Sequence, residues 1–427
     1  MQRLNWKQIA YLWDGAIIGL AVGAVVSLFR WLIETDLNWV KELYQWTHAN
    51  HWGMVIILMI NLIICFIVGR LIQATPDIKG SGIPQVEGQL ANQLDYPFWP
   101  VLWKKFIGGV LAIGSGLFLG REGPSIQLGS TTAQGVAKLQ GLNGSARRVA
   151  IAAGAAAGLA AAFNAPIASS LFVLEEIYHE FPLRVWPTTI CASIAANLVS
   201  TELFGLTPVL HIEYAHPFPL NQYWILIVLG ILLGLSGIIY QQTTLHLDRF
   251  YRLFNWMPSQ YLVVVPLLLV IPIGYFIPDT LGGGNGLILS VAHSVPGLGI
   301  LLVYLLVRFI FSAISYGSGV PGGIFLPILT LGALLGALYG QGLVVLHLMP
   351  AGLVINLIII AMAAYFACIT KSPFTAILLI TEMVGTVTHL MSLAVVSLIA
   401  YAVVDLLNGK PIYSQMLTNL LKTKAKN

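Results

Sequence analysis

Glu122 is the residue whose surroundings most clearly suggest chemistry. It stands in Gly120-Arg121-Glu122-Gly123-Pro124, a run suited to opening a helix, because proline is tolerated in the first turn where its missing N–H costs nothing. A helix start presents unpaired backbone N–H groups and the positive end of the peptide dipoles, and both attract anions. A carboxylate placed there can occupy the position of an inorganic anion, and a proton can remove it as a competitor. Gly80-Ser81-Gly82-Ile83-Pro84 and Gly323-Ile324-Phe325-Leu326-Pro327 have the same character. One helix end contributes about 0.3 to 1 kcal/mol at a surface and up to about 2 kcal/mol when partly buried. Several ends therefore need hydroxyl and amide donors beside them to offset the dehydration of a halide. Neutral donors also let a transported ion leave. The plainer reading of Glu122 is a structural ion pair with its neighbour Arg121.

Glu175 and Glu176 close a 25-residue uncharged run from Ala150 to Leu174 and are followed by Tyr178, His179 and Glu180. That places them at a membrane boundary, where one carboxylate can take a proton from water while the other supports it. Two carboxylates at a helix end facing solvent are the alternative. Glu176 with His179, and Glu213 with His216, have the E-x-x-H spacing of di-iron bundle enzymes. The further inward glutamates such a site needs are missing, so neither a metal nor a cofactor is expected, and no enzyme activity. Cys65, Cys191 and Cys368 are isolated in apolar sequence and read as packing residues.

The elements that must hold these residues are membrane spans. Of 427 residues, 57% are hydrophobic and 9% charged, against roughly 25% charged in a soluble domain. Between Arg308 and Lys371 lie 62 residues without Asp, Glu, Lys or Arg, enough for two or three spans of about 20 residues. At least ten hydrophobic segments follow one another, and no cleavable signal peptide is read before them. The net charge of +4 is concentrated near the ends, at Arg3, Lys7, Lys410, Lys422, Lys424 and Lys426. By the positive-inside rule both termini are expected in the cytoplasm of a cell with the chain in its inner membrane. The charge distribution offers no surface for nucleic acid.

Gly114 to Gly129 and Gly317 to Gly336 are too rich in glycine and proline for uninterrupted spans. Such breaks point to a permeation site, since irregular backbone at membrane depth is tolerated only against protein or a wet cavity. Gly15, Gly19 and Gly23 read instead as helix-packing positions. The chain also repeats itself. Gly120–Gly129 aligns with Gly323–Gly332, and Phe163–Glu176 aligns with Thr370–Met383, bringing Pro166 over Pro373 and Glu175 over Glu382. The prolines are 42 residues apart in one half and 46 in the other. The expectation is one transmembrane domain over residues 1–427, with a first repeat at about 10–205, a second at about 220–410 and a short tail at 411–427. Whether the halves are parallel or inverted is open from this alignment.

The order and spacing of GSGIP at Gly80, GREGP at Gly120, GxFxP at Gly323 and the late Tyr413, with the segment Ala152–Glu176, resemble the CLC family of chloride channels and chloride/proton antiporters over nearly the whole chain. The resemblance implies an all-α membrane fold of two inverted repeats with short, tilted and broken helices, and a homodimer with one anion pathway per subunit. It implies a central anion held by the hydroxyls of Ser81 and Tyr413 and the backbone N–H groups of Ile324 and Phe325. Glu122 would be the outer gate and Glu176 the inner proton-transfer carboxylate. An acidic residue at the latter place favours chloride/proton antiport over a passive chloride channel, and Ser81 favours chloride over fluoride or nitrate. Gln85 departs from the glutamate common in relatives, which puts in question the ion pairs at the inner entrance.

Overall fold

The computed structural model describes residues 6–50, 52–179, 181–212 and 217–425; Arg3, Glu180, Glu213, His216 and Lys426 lie outside them. Among the described residues the chain is helical with no strand. The first half runs α1 (Trp6–Thr47), α2 (Trp52–Ala74), α3 (Ile83–Leu90), α4 (Phe98–Gly114), α5 (Glu122–Leu139), α6 (Gly144–Phe163), α7 (Pro166–Phe172) and α8 (Val185–Phe204). The second half runs α9 (Tyr223–Leu245), α10 (Leu247–Tyr251), α11 (Val264–Phe276), α12 (Asn285–His293), α13 (Leu298–Gly317), α14 (Phe325–Val345), α15 (Val354–Thr370), α16 (Pro373–Val384) and α17 (Leu390–Leu406), followed by α18 (Ile412–Lys424). Among the described residues eight helices are long and apolar enough to cross a membrane, and Pro373–Val384 and Leu390–Leu406 are shorter apolar helices. The charge-free run after Arg308 supplies the end of α13, all of α14 and all of α15.

The two halves are inverted copies. Helices α3 to α8 match α12 to α17 in order, and the copies meet where GREGP faces GxFxP. There Gly120 N donates to Gly323 O at 2.8 Å and Gly323 N to Gly120 O at 2.7 Å, an antiparallel bridge. A reciprocal pair of this kind relates the two segments by a local two-fold axis running between them.

Small residues allow the helices to cross at backbone contact. Alanine and glycine make up most of α6, and a Cβ added at Gly158 would lie 2.1 Å from Ser125 O on α5. Gly15, Gly19 and Gly23 pack α1 on α8, with an added Cβ at Gly19 coming to 2.2 Å from Ala192 O. This is the small-residue packing expected where lipid supplies no hydrophobic drive between helices.

Pro166 and Pro373 start α7 and α16 at equivalent places, and each helix is capped by a carboxylate of the other half. Glu175 accepts from Thr375 N at 2.7 Å, Phe374 N at 3.2 Å and Thr375 Oγ1 at 2.7 Å. Glu382 accepts from Ala168 N at 2.8 Å and Ile167 N at 3.2 Å. These bonds satisfy first-turn N–H groups that have no intrahelical acceptor.

Candidate functional site

Four chain segments converge on the middle of the protein. Glu122 is the first residue of α5 and is fully buried. Its side chain folds back over Gly120, where an added Cβ would meet Glu122 Oε2 at 2.2 Å and Leu326 N at 3.1 Å. The backbone N–H groups of Glu122 and Leu326 face the carboxylate, yet neither oxygen makes a hydrogen bond of ordinary geometry. The carboxylate thus occupies the place where two helix starts, α5 and α14, both attract an anion. It does not pair with Arg121, whose Nη1 goes to Glu34 Oε1 at 2.6 Å.

Ser81 enters on the glycine loop ahead of α3. Gly80 and Gly82 have φ of 64° and 87°, values open to glycine and strained for other residues. The turn buries Ser81, whose Oγ accepts from Ile83 N at 3.3 Å. A Cβ at Gly123 would strike Ser81 Cβ at 2.7 Å, so only glycine lets α5 reach this loop. Lys105 Nζ holds the loop through Ile78 O at 2.9 Å and Gly80 O at 2.7 Å.

Ile324 and Phe325 open α14, where first-turn N–H groups lack helical acceptors. Phe325 is fixed by rings on three sides, with centroid distances of 4.3 Å to Phe366, 5.2 Å to Phe163 and 5.5 Å to Phe172. Tyr413 arrives from α18, has no exposed surface and packs edge-on to Phe172 at 6.3 Å. Its hydroxyl has no hydrogen-bond partner. Glu122 and Glu176 both lie within electrostatic range of that hydroxyl.

Glu176 sits in the π-helical turn Val173–Tyr178 that continues α7, a distortion that often marks functional positions. It is buried, and its Oε1 has no partner. The structure separates the acidic pair: Glu175 is committed to capping α16, and Glu176 is left unpaired inside. Gln85 Nε2 donates to Lys79 O at 2.9 Å, so the loop ahead of α3 is tied there by a neutral hydrogen bond.

One feature was missed from sequence alone, and a second, the glutamate retained two places after Gln85, was seen there without a role. Tyr316, on α13, brings its hydroxyl beside the Ser81 loop, 3.3 Å from where a Cβ on Gly80 would stand; one aromatic in an apolar helix carried no signal of this. Glu87 accepts from Ser414 Oγ at 2.7 Å and has His179 Nε2 at 3.7 Å. It lines a cavity of about 600 Å³ with Tyr178, His179 and Lys422 and lies within electrostatic range of Glu176. The position of Glu87 two residues after Gln85 on α3 was the available clue.

The profile of the family described as voltage gated chloride channel matches residues 60–405. The chain belongs to this family. A protein of Vibrio campbellii named H(+)/Cl(-) exchange transporter ClcA is 34% identical over 96% of this chain and 90% of its own length. One of the same name from Klebsiella pneumoniae is 32% identical over 97% and 89%. Among solved structures, a slow cyanobacterial Cl-/H+ antiporter superposes with a TM-score of 0.90 at 28% identity, over 96% of this chain and 98% of its own. A CLC-type fluoride/proton antiporter shares the fold, with a TM-score of 0.76 and 21% identity over 94% and 96% of the two chains. The chain is accordingly a multi-pass membrane protein with the CLC fold, and the converging segments are those on which the family signatures fall.

Proposed function

We propose that this chain exchanges chloride for protons across the membrane. The observation that carries the reading is the Tyr413 hydroxyl, a buried donor without a partner lying within electrostatic range of both Glu122 and Glu176. A buried hydroxyl left unpaired costs about 1–3 kcal/mol, and a chloride accepting from it and from Ser81 Oγ offsets that cost. The N–H groups of Ile324 and Phe325 complete the anion's shell. Glu122 competes with chloride for the helix starts when ionised and yields to it when protonated, so anion and proton share this step. Protons continue to the cytoplasm through Glu176 while chloride passes Ser81 and Tyr413. The names of the relatives support exchange over passive conduction.

The same reading makes the chain one transport domain in the inner membrane. Its basic residues near α18 face the cytoplasm with both termini, and it works as a homodimer with a complete pathway in each subunit. The test uses purified protein in liposomes with an outward chloride gradient, voltage clamped at zero by potassium and valinomycin, and a pH electrode outside. Uphill proton uptake tracking chloride efflux is the expected result. Chloride efflux without proton movement would replace the reading with a channel, and fluoride efflux alone would replace chloride as the substrate.

A further inference from the structure

The loop that presents Ser81 has a counterpart in the other half. Pro76-Asp77-Ile78-Lys79-Gly80-Ser81-Gly82 leads into α3, and Pro278-Asp279-Thr280-Leu281-Gly282-Gly283-Gly284 leads into α12. Each begins with a 3-10 turn opened by proline. Each then uses left-handed glycines, at φ 64° and 87° for Gly80 and Gly82, and 76° and 116° for Gly282 and Gly284. The first helical bonds are Val86 N to Gly82 O at 3.1 Å and Ile288 N to Gly284 O at 2.9 Å. A buried cation from the following helix holds the same carbonyls in both. Lys105 takes Ile78 O and Gly80 O, and Arg308 Nη1 takes Thr280 O at 2.9 Å and Gly282 O at 2.8 Å. Inversion of the halves turns the α12 start toward the face opposite the Ser81 loop.

The start of α12 carries no side-chain cap and borders a cavity of about 310 Å³ lined also by Glu34, Lys41, Arg121 and Leu326. Arg121 is only 6% exposed, and its Nε and Nη2 have no hydrogen-bond partner. Lys41 Nζ stands 3.8 Å from where a Cβ on Gly286 would be and forms no ion pair among the described residues. Arg308 Nη2 lies directly behind the turn, 2.6 Å from the Cβ position of Gly284. Against these three cations the cavity holds one carboxylate, Glu34, which is already shared between Arg121 and Arg30. Asn285 Oδ1 is buried there without a partner, and turning its amide over presents Nδ2 as another donor. Leu326 joins this cavity to the gate, since its side chain is part of the wall and its N–H faces the Glu122 carboxylate.

We propose that the cavity between α1, α5 and the start of α12 is an outer binding site for a monovalent anion of chloride size, filled before the anion passes Glu122. It rests on the transport reading above for its purpose, though binding itself does not. Gly283 stands where the inner loop has Ser81, so this loop offers the ion no serine hydroxyl. Charge and backbone N–H groups hold it instead, which suits a site that loads and unloads quickly. Excess positive charge in a cleft also raises the local anion concentration and the entry rate.

The test has two independent readouts. Crystals of the full-length protein grown in bromide are expected to show an anomalous peak in this cavity, lost in Lys41→Gln while the peak beside Ser81 and Tyr413 remains. In liposomes, Lys41→Gln and Lys41→Glu are expected to raise the half-saturating chloride concentration on the α12 face by roughly threefold to tenfold and leave that on the Ser81 face unchanged. Added impermeant salt should shrink the difference, as screening of a steering charge requires. No bromide in the cavity of the wild-type protein overturns the proposal, as does a Lys41 effect equal on both faces. If bromide binds as expected while the protein moves no chloride, the site stands and the transport reading falls.

Discussion

At the residue scale, what sets Glu122 and Glu176 apart is that they are buried and still have no hydrogen-bonded partner for their unpaired oxygens. Glu34 has two arginines, Glu87 has Ser414, and Glu175 and Glu382 have helix N-termini. Glu122 and Glu176 are buried with unpaired oxygens. An ionised carboxylate is costly to bury without a partner, so each is held where a change of protonation is cheap compared with the strain of keeping its charge. Glu122→Gln removes the charge that competes at the helix starts. It is expected to retain chloride flux and lose proton movement, as read by a pH electrode and a chloride electrode on the same liposomes. Glu176→Ala is expected to abolish proton transport while the anion site beside Ser81 still binds bromide, because Glu176 touches the proton route and not the anion. Coupled transport surviving in either variant would remove that residue from the mechanism.

At the element scale the close crossings make the site rigid. A Cβ on Gly158 would press on the Ser125 carbonyl at 2.1 Å, and Ser125 is in the first turn of α5, whose start carries Glu122. Gly158→Ala must therefore push α5 from α6, and overpacking of this kind costs about 1–3 kcal/mol. A lowered unfolding temperature together with disturbed coupling is the expected result, although the substitution favours a helix by propensity alone. At the contact between α3 and the turn after α7, the Glu87 carboxylate raises the pKa of His179 above the ordinary imidazole value. His179 Nδ1 lies 3.2 Å from Glu175 O, and Lys422 and the buried Glu176 face the same region. The raised pKa means that the contact between α3 and the turn after α7 is at full strength below the ordinary imidazole pKa and is lost as pH rises through the raised one. Thermal stability of the wild type should therefore fall between about pH 6 and pH 8, and His179→Gln should flatten that fall.

At the scale of the whole molecule, much of the plan was legible because membrane chains advertise their breaks: GREGP, GxFxP and the paired Pro166 and Pro373 interrupt apolar runs where only a site or a repeat explains them. The hand of the repeat was not legible in the alignment, which is the same for parallel and inverted copies; the reciprocal Gly120 and Gly323 bonds show that a local two-fold axis relates the two segments. The outer loop escaped notice because Gly283 and Gly286 stand where Ser81 and Pro84 make the inner loop recognisable. The pairing of Glu175 over Glu382 was read, but not its consequence. Each carboxylate crosses to the opposite half and caps the proline-led helix there, so the two caps tie the halves to each other reciprocally. Hydrogen bonds to charged groups contribute about 1.5–3 kcal/mol, and a Gln retains one acceptor oxygen of the two. Glu175→Gln and Glu382→Gln should thus each lower stability by about 1–2 kcal/mol. Because the first loosens the surface that the second depends on, the double variant should lose less than the sum, which a double-mutant cycle of unfolding in detergent would measure. Strict additivity would mean that the two caps act independently of each other.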